Sequence, residues 1–155
     1  LKQMARAHGR ETRIWIHVYV VCRETEKEAK DYLNYYVHEK GDWEAAGNLL
    51  KIFGLHNQTL DAKTLDGHKA HFIAGHGGYP LVGTAEQIVD ELGKLADIGV
   101  DGCLISWVRY KEELAQWNAQ VLPLMVQAGL REPFPPAERA RGSAPASRMG
   151  DAAVA

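Results

Sequence analysis

A chain of 155 residues has room for one ordinary domain and little more. Its residues are 46% apolar and 25% charged, the balance of a globular chain in water. Eighteen Lys and Arg against twenty Asp and Glu give a net charge of −2, which excludes a basic nucleic-acid-binding surface and an acidic tail.

The chain opens on Leu1, Met4, Ala5 and His8, which follow the i, i+3, i+4, i+7 stripe of a helix, with Gly9 placed as its C-cap. An opening inside a helix, without initiator Met or cap, predicts a piece of a longer protein. These first residues do not form a signal-peptide pattern, and every apolar run falls far short of the ~18 residues of a membrane span. Arg13–Cys22 (RIWIHVYVVC) is β-branched and aromatic and apolar on both alternating faces, the pattern of a strand covered on both sides in a parallel sheet. Thr25 and Glu28 form a capping box, opening a helix whose inward face is Ala29, Leu33, Tyr36 and Val37 and which ends near Gly41. A second helix is predicted over Asp42–Phe53, carrying Trp43, Ala46, Leu49 and Leu50.

Residues 54–79 break the rhythm. They hold four of the seven histidines (His56, His68, His71, His76) and the glycines Gly75, Gly77 and Gly78, and read as a long loop. Tyr79–Gly83 is a short strand, and Thr84 with Gln87 caps a helix that buries Ile88, Leu92, Leu95 and Ala96. Val100–Ser106 is the third strand. A helix over Lys111–Ala128 follows, with Leu114, Trp117, Val121 and Leu124 or Met125 inward. Fifteen of the last twenty-five residues are Pro, Gly, Ala or Ser, so 131–155 reads as a disordered tail behind an ordered unit of 1–130. Cys22 and Cys103 end or lie inside apolar runs, which suits buried thiols in a reducing, cytoplasmic setting.

Strands alternating with helices imply an α/β fold with a parallel sheet. Three parallel strands cover their own edges poorly, so the pattern points to the C-terminal portion of a (β/α)₈ TIM barrel, with a small open sheet as the alternative.

Three stretches carry a family resemblance: His17-Val-Tyr-Val-Val-Cys-Arg-Glu-Thr-Glu-Lys-Glu-Ala29, Gly77-Gly-Tyr-Pro-Leu-Val-Gly-Thr-Ala-Glu-Gln-Ile88, and Gly99-Val-Asp-Gly-Cys-Leu-Ile-Ser106 with Val121-Leu-Pro-Leu-Met125 beyond it. In this order and spacing they resemble the C-terminal half of bacterial luciferase-like, flavin-dependent monooxygenases. The similar subgroup acts on dimethyl sulfone, alkanesulfonates or pyrimidines. The resemblance implies half of a (β/α)₈ barrel and an FMN-dependent monooxygenase. Reduced FMN and O₂ would oxygenate a small organosulfur or heterocyclic molecule, and a separate NAD(P)H-dependent flavin reductase would supply the cofactor. The first half of the barrel, with much of the flavin's binding surface, is missing from the chain. No nucleic acid or membrane enters this reading, and a homo-oligomer is compatible with it. A reading of another class is a non-catalytic, luciferase-like remnant that pairs with a complementary chain or dimerises through open strand edges.

Barrel active sites gather at the C-terminal ends of strands. His17 and Tyr19 share one face of the first strand and are candidates to hydrogen-bond flavin or substrate; the plainer reading makes them core residues. His76 could donate to an oxyanion, and Gly77, Gly78 and Tyr79 would let backbone approach a cofactor, unless this is only a turn. Ser106 ends the third strand as a further cofactor contact. Arg109 could grip an anionic group, or be a solvated surface residue. The expectation is that the three strands end on one side, the 75–79 loop crosses the sheet's end, and Arg109 with Tyr110 rims the same opening. His68, His71 and His76 have no Cys or carboxylate at a spacing that completes a zinc site, so no metal is predicted. Ser106 lacks the Gly-x-Ser-x-Gly context of a hydrolase.

Overall fold

The computed structural model describes residues 1–55 and 60–133. The tail predicted over 131–155 therefore lies, from residue 134 onward, outside the described residues, as does His56. The chain folds as α1 (Lys2–Ala7), β1 (Trp15–Cys22), α2 (Glu26–Asn34), α3 (Trp43–Ile52), α4 (Ala62–Gly75), β2 (Tyr79–Gly83), α5 (Ala85–Asp97), β3 (Gly102–Ser106), α6 (Tyr110–Gln116) and α7 (Leu122–Gln127). Wider π-helical turns follow α2 (Tyr35–Glu39) and α6 (Trp117–Val121).

The three strands form one parallel sheet in the order β2-β1-β3. Val18–Cys22 of β1 runs beside Tyr79–Gly83, and Trp15–Tyr19 beside Gly102–Ser106. β1 is therefore hydrogen-bonded on both edges, and Val18 through Cys22 are all buried. The apolar character on both alternating faces has this cause. Pro80, which has no N–H to give a ladder, sits on the outer strand β2, where such a residue is tolerated.

Even-numbered β1 side chains (Val18, Val20, Cys22) pack with Leu81 against Ile88, Leu92 and Leu95 of α5 and against Trp117 and Val121. Tyr19 and Val21 point the other way and pack with Ala29, Val37 and Ala74. Both capping boxes form: Thr25 Oγ1 accepts from Glu28 N–H at 3.1 Å, and Thr84 Oγ1 from Gln87 N–H at 3.3 Å.

Two predicted elements are corrected. The loop read over 54–79 contains α4, a fourteen-residue helix started by Asp61, whose carboxylate accepts from the Thr64 backbone N–H at 3.0 Å and hydroxyl at 2.6 Å. Interleaved histidines and Gly67 hide its apolar stripe, since only Leu65 and Ala74 are fully buried. The helix read over Lys111–Ala128 is interrupted by the π-helical turn before Pro123, which cannot donate an N–H to the preceding turn.

Candidate functional site

All three strands run parallel, so their carboxyl ends open on one side, as expected. A cleft of about 490 Å³ lies at the carboxyl end of β3, its wall including Tyr19, Tyr36, Gly75, His76, Ser106, Trp107 and Tyr110. It is built mainly from β1, the end of α4 and the turn leaving β3. Tyr19, His76 and Ser106, separated widely in sequence, are thus brought together.

His17 lies one alternation below Tyr19, and its Nε2 is 3.1 Å from Ser106 Oγ. The Ser106 hydroxyl donates to the Val18 carbonyl at 3.3 Å, so its oxygen accepts from His17. That places the ring proton on Nε2 and leaves Nδ1 as an acceptor. Gly78 presses on this nitrogen: a Cβ there would stand 2.8 Å from Nδ1. A Cβ at Gly75 would stand 2.3 Å from Tyr19 Cβ, so the end of α4 lies flat on Tyr19. The 75–79 segment therefore crosses the face of the sheet at the level of His17 and Tyr19, not its end, because two glycines let the backbone settle on those side chains.

Tyr19 is 6% exposed, and burial pushes its hydroxyl pKa upward, so it stays protonated. Tyr36 donates to the Ala74 carbonyl at 2.9 Å, and burial raises its pKa further still. His76 is in the left-handed region at φ 52°, ψ 32°, held by its N–H on the Phe72 carbonyl at 2.7 Å; no other non-glycine among the described residues has positive φ. A residue held there costs roughly 1–2 kcal/mol, which such a site stores rather than relaxes.

The other candidates lie elsewhere. Gly77 supplies a positive φ of 73° at the turn into β2. Tyr79 turns its hydroxyl to Glu91 of α5, outside the cleft. The Arg109 guanidinium, 63% exposed, pairs with Glu112 at 3.0 Å, so its neighbours Val108 and Tyr110 line the cleft and it does not.

Sequence reasoning passed over a buried brace beside this cleft. Glu113, 7% exposed, accepts from Arg23 Nη2 at 3.0 Å and from the Arg109 backbone N–H at 2.8 Å. Arg23 also donates to the Cys22 carbonyl at 2.6 Å and lies 3.8 Å over the Tyr32 ring. This cluster ties the end of β1 to α2 and the start of α6. Its one legible signal is a carboxylate in the first turn of a helix. Trp107 and Tyr110, three residues apart after β3, pack edge to face at 5.6 Å.

Residues 1–102 match the sequence profile of the luciferase-like monooxygenases. The chain is 29% identical over 134 residues to an FMNH₂-dependent dimethylsulfone monooxygenase of Pseudomonas putida, covering 81% of this chain and 36% of that protein. It is 25% identical over 165 residues to a sulfoquinovose monooxygenase of Agrobacterium fabrum (strain C58 / ATCC 33970), covering 96% of this chain and 42% of that protein. In three dimensions it is similar to DmoA from Hyphomicrobium sulfonivorans, with a TM-score of 0.68, 18% identity, and coverage of 83% of this chain and 33% of that one. It is also similar to the riboflavin lyase RcaE, crystallised with modified FMN and riboflavin, with a TM-score of 0.67, 21% identity, and coverage of 92% and 38%. The chain thus spans roughly two-fifths or less of each of these proteins. With a family profile running unbroken from α1 to the start of β3, and the same strand-and-helix arrangement in both solved structures, this chain belongs to the luciferase-like monooxygenase family.

Proposed function

We propose that this chain supplies the carboxyl-terminal part of a flavin-dependent monooxygenase site acting on a small organosulfur or heterocyclic compound. The observation that carries this reading is the convergence of Tyr19, His76 and Ser106 on one cleft beside the carboxyl end of β3. The aromatic wall of Tyr19, Tyr36, Trp107 and Tyr110 fits a planar ring system, and the neutral hydroxyl of Tyr19 fits its polar edge. Reduced FMN, when bound, supplies the electrons that let O₂ give one oxygen atom to a substrate.

The chain's own residues do the positioning. The hydrogen bond between His17 Nε2 and Ser106 Oγ fixes the His17 ring beneath the cleft. His76 is held in place by the end of α4, and glycines bring the 75–78 backbone close to the sheet. Arg109, exposed and paired with Glu112, is outside the cleft wall. A separate NAD(P)H-dependent reductase would deliver the reduced flavin.

The test is anaerobic titration of the chain, joined to the amino-terminal barrel half of a luciferase-like relative, with reduced FMN, followed by O₂, a flavin reductase and dimethyl sulfone or an alkanesulfonate. The expected result is flavin binding and incorporation of one ¹⁸O atom from ¹⁸O₂ into product. Replacing His17 by Ala is expected to lower turnover by about 10²-fold. Absence of both flavin binding and turnover would overturn the reading.

A second reading has its own observation: β2 and β3 have no strand partner on their outer edges among the described residues. The chain would then act as a luciferase-like partner that joins a complementary chain or a second copy. Light scattering on a sizing column separates the two, because a stable monomer that turns over substrate leaves this reading without support.

A further inference from the structure

Two neighbouring carboxylates lie in the first turn of α6 and are used differently. Glu112, at the third helical position, stands where a capping carboxylate ordinarily reaches back to the helix start, yet it pairs with the exposed Arg109 side chain. Glu113 takes that bond instead. Its Oε2 accepts from the Arg109 backbone N–H at 2.8 Å, and the residue is only 7% exposed. A cap alone gives no reason to bury a carboxylate. Taking a charge out of water is costly, and a buried ion pair adds little stability over apolar side chains of similar volume. What such a pair adds is direction, because a planar guanidinium holds its donors at fixed angles.

The partner of Glu113 is itself anchored on three sides. Arg23 Nη1 donates to the Cys22 carbonyl at 2.6 Å, its backbone N–H donates to the Gly83 carbonyl at 3.1 Å, and its guanidinium lies 3.8 Å over the Tyr32 ring. Its Nη2 is left for Glu113, at 3.0 Å. Tyr32 packs at 5.4 Å on Tyr36, whose hydroxyl donates to the Ala74 carbonyl at 2.9 Å. An unbroken line of contacts thus runs from Arg109 through Glu113, Arg23 and Tyr32 to Tyr36. Both ends of that line border the cleft. Val108 and Tyr110, on either side of Arg109, belong to its wall, as does Tyr36, whereas Arg23 and Glu113 do not line it. The turn at Val108–Tyr110 needs a tie from elsewhere: Val108 is 47% and Tyr110 56% exposed, and β3 before it has no strand partner on its outer edge among the described residues.

We infer that Arg23 and Glu113 are positioning residues of the cleft, their ion pair setting where the Val108–Tyr110 turn stands relative to Tyr36 and so how wide the cleft opens. The inference deepens the proposed function and rests on the cleft as its ligand site. The two residues act through the wall and touch no ligand.

The experiment compares the full chain with the double variant Arg23→Met, Glu113→Gln. Gln keeps an acceptor for the Arg109 N–H, Met keeps an apolar contact for Tyr32, and no charge is left unpaired. Residual dipolar couplings of the backbone amides report the orientation of residues 108–116 relative to β1. A neutral nitroxide added to the solvent reports the opening of the cleft, through broadening of the Ser106 and His76 amides. The expected result is that couplings of 108–116 lose the wild-type orientation while those of β1 keep it, and that both amides broaden more than in wild type. A pair that only stabilises the fold would move neither readout. Couplings and broadening that match wild type therefore overturn the inference, as do altered couplings without added broadening. Both readouts come from folded molecules, so they decide whatever the unfolding curve of the variant does. Should the variant fail to fold, the wild-type chain decides through Arg23 itself. A held guanidinium shows separate Nη proton signals, and a freely rotating one, with those signals merged, overturns the inference. No ligand enters the experiment, so its failure leaves the proposed function standing, and failure of that function shows separately in the flavin titration.

Discussion

Gly75 and Gly67 stand in the same helix, α4, and their surroundings demand opposite things of them. A Cβ at Gly75 would sit 2.3 Å from Tyr19 Cβ, whereas one at Gly67 would meet nothing within 4 Å. Gly75→Ala is therefore expected to destabilise the fold by about 1–3 kcal/mol through forced repacking. Gly67→Ala should stabilise it by about 0.5–1 kcal/mol, since a helix-interior glycine gives up more chain entropy than alanine. Urea unfolding of the two variants checks the sign of each. Glu113 is a different kind of commitment, a buried carboxylate held by the N-cap of its own helix and by Arg23 at the end of β1. Glu113→Ala leaves Arg23 half-sealed without its counter-charge and is expected to cost about 3 kcal/mol or more in the same assay. Cys22 adds a pH dependence. Burial pushes its thiol from the ordinary 9.0 to about 11. The folded state then keeps its proton where the unfolded chain has lost it, so this contribution is intact below pH 9 and is lost as pH rises toward 11. Unfolding free energy should fall across that window, and Cys22→Ala should flatten the fall.

Elements are fixed here by short signals at their ends. Thr25 with Glu28 and Thr84 with Gln87 start α2 and α5, each pairing an N-cap oxygen with a backbone N–H three residues on. Thr25→Ala or Thr84→Ala should each cost about 1 kcal/mol, seen as a lower midpoint in thermal unfolding. α4 lacks such an amphipathic stripe; its start depends on Asp61, and its end is the left-handed turn at His76. A helix with two fully buried residues borrows its stability from what it covers, namely Tyr19 and the surface beneath Ala74.

At the scale of the molecule, β1 is the strand on which everything else is hung. It pairs on both edges and feeds both apolar clusters. Amide exchange should therefore be slowest over Val18–Cys22 and fastest in α1, which has no buried residue; the opposite order would mean that the sheet does not form the stable centre. Among the described residues no helix is long and apolar enough to cross a membrane. The face of the sheet that holds Tyr19 is covered by the end of α4 and open at the cleft, whose wall brings together Tyr19, His76 and Ser106.

The sequence by itself determined what depends on near neighbours along the chain. β1 was legible because a strand buried on both faces must be apolar at every position. The helix starts were legible because a capping box closes within four residues. The shared direction of the strand ends followed from strand–helix alternation. Tertiary structure decided the rest. α4 was unreadable because its partner surface comes from β1, more than forty residues away, and only that surface makes glycines and histidines acceptable in a helix. Arg109 looked like a site cation until α6 placed Glu112 beside it. The Arg23–Glu113 brace, the His17–Ser106 bond and the unpaired donor of Trp107 each join or isolate groups by distance in space. Burial and hydrogen bonding are properties of that space, and no local pattern in the chain encodes them.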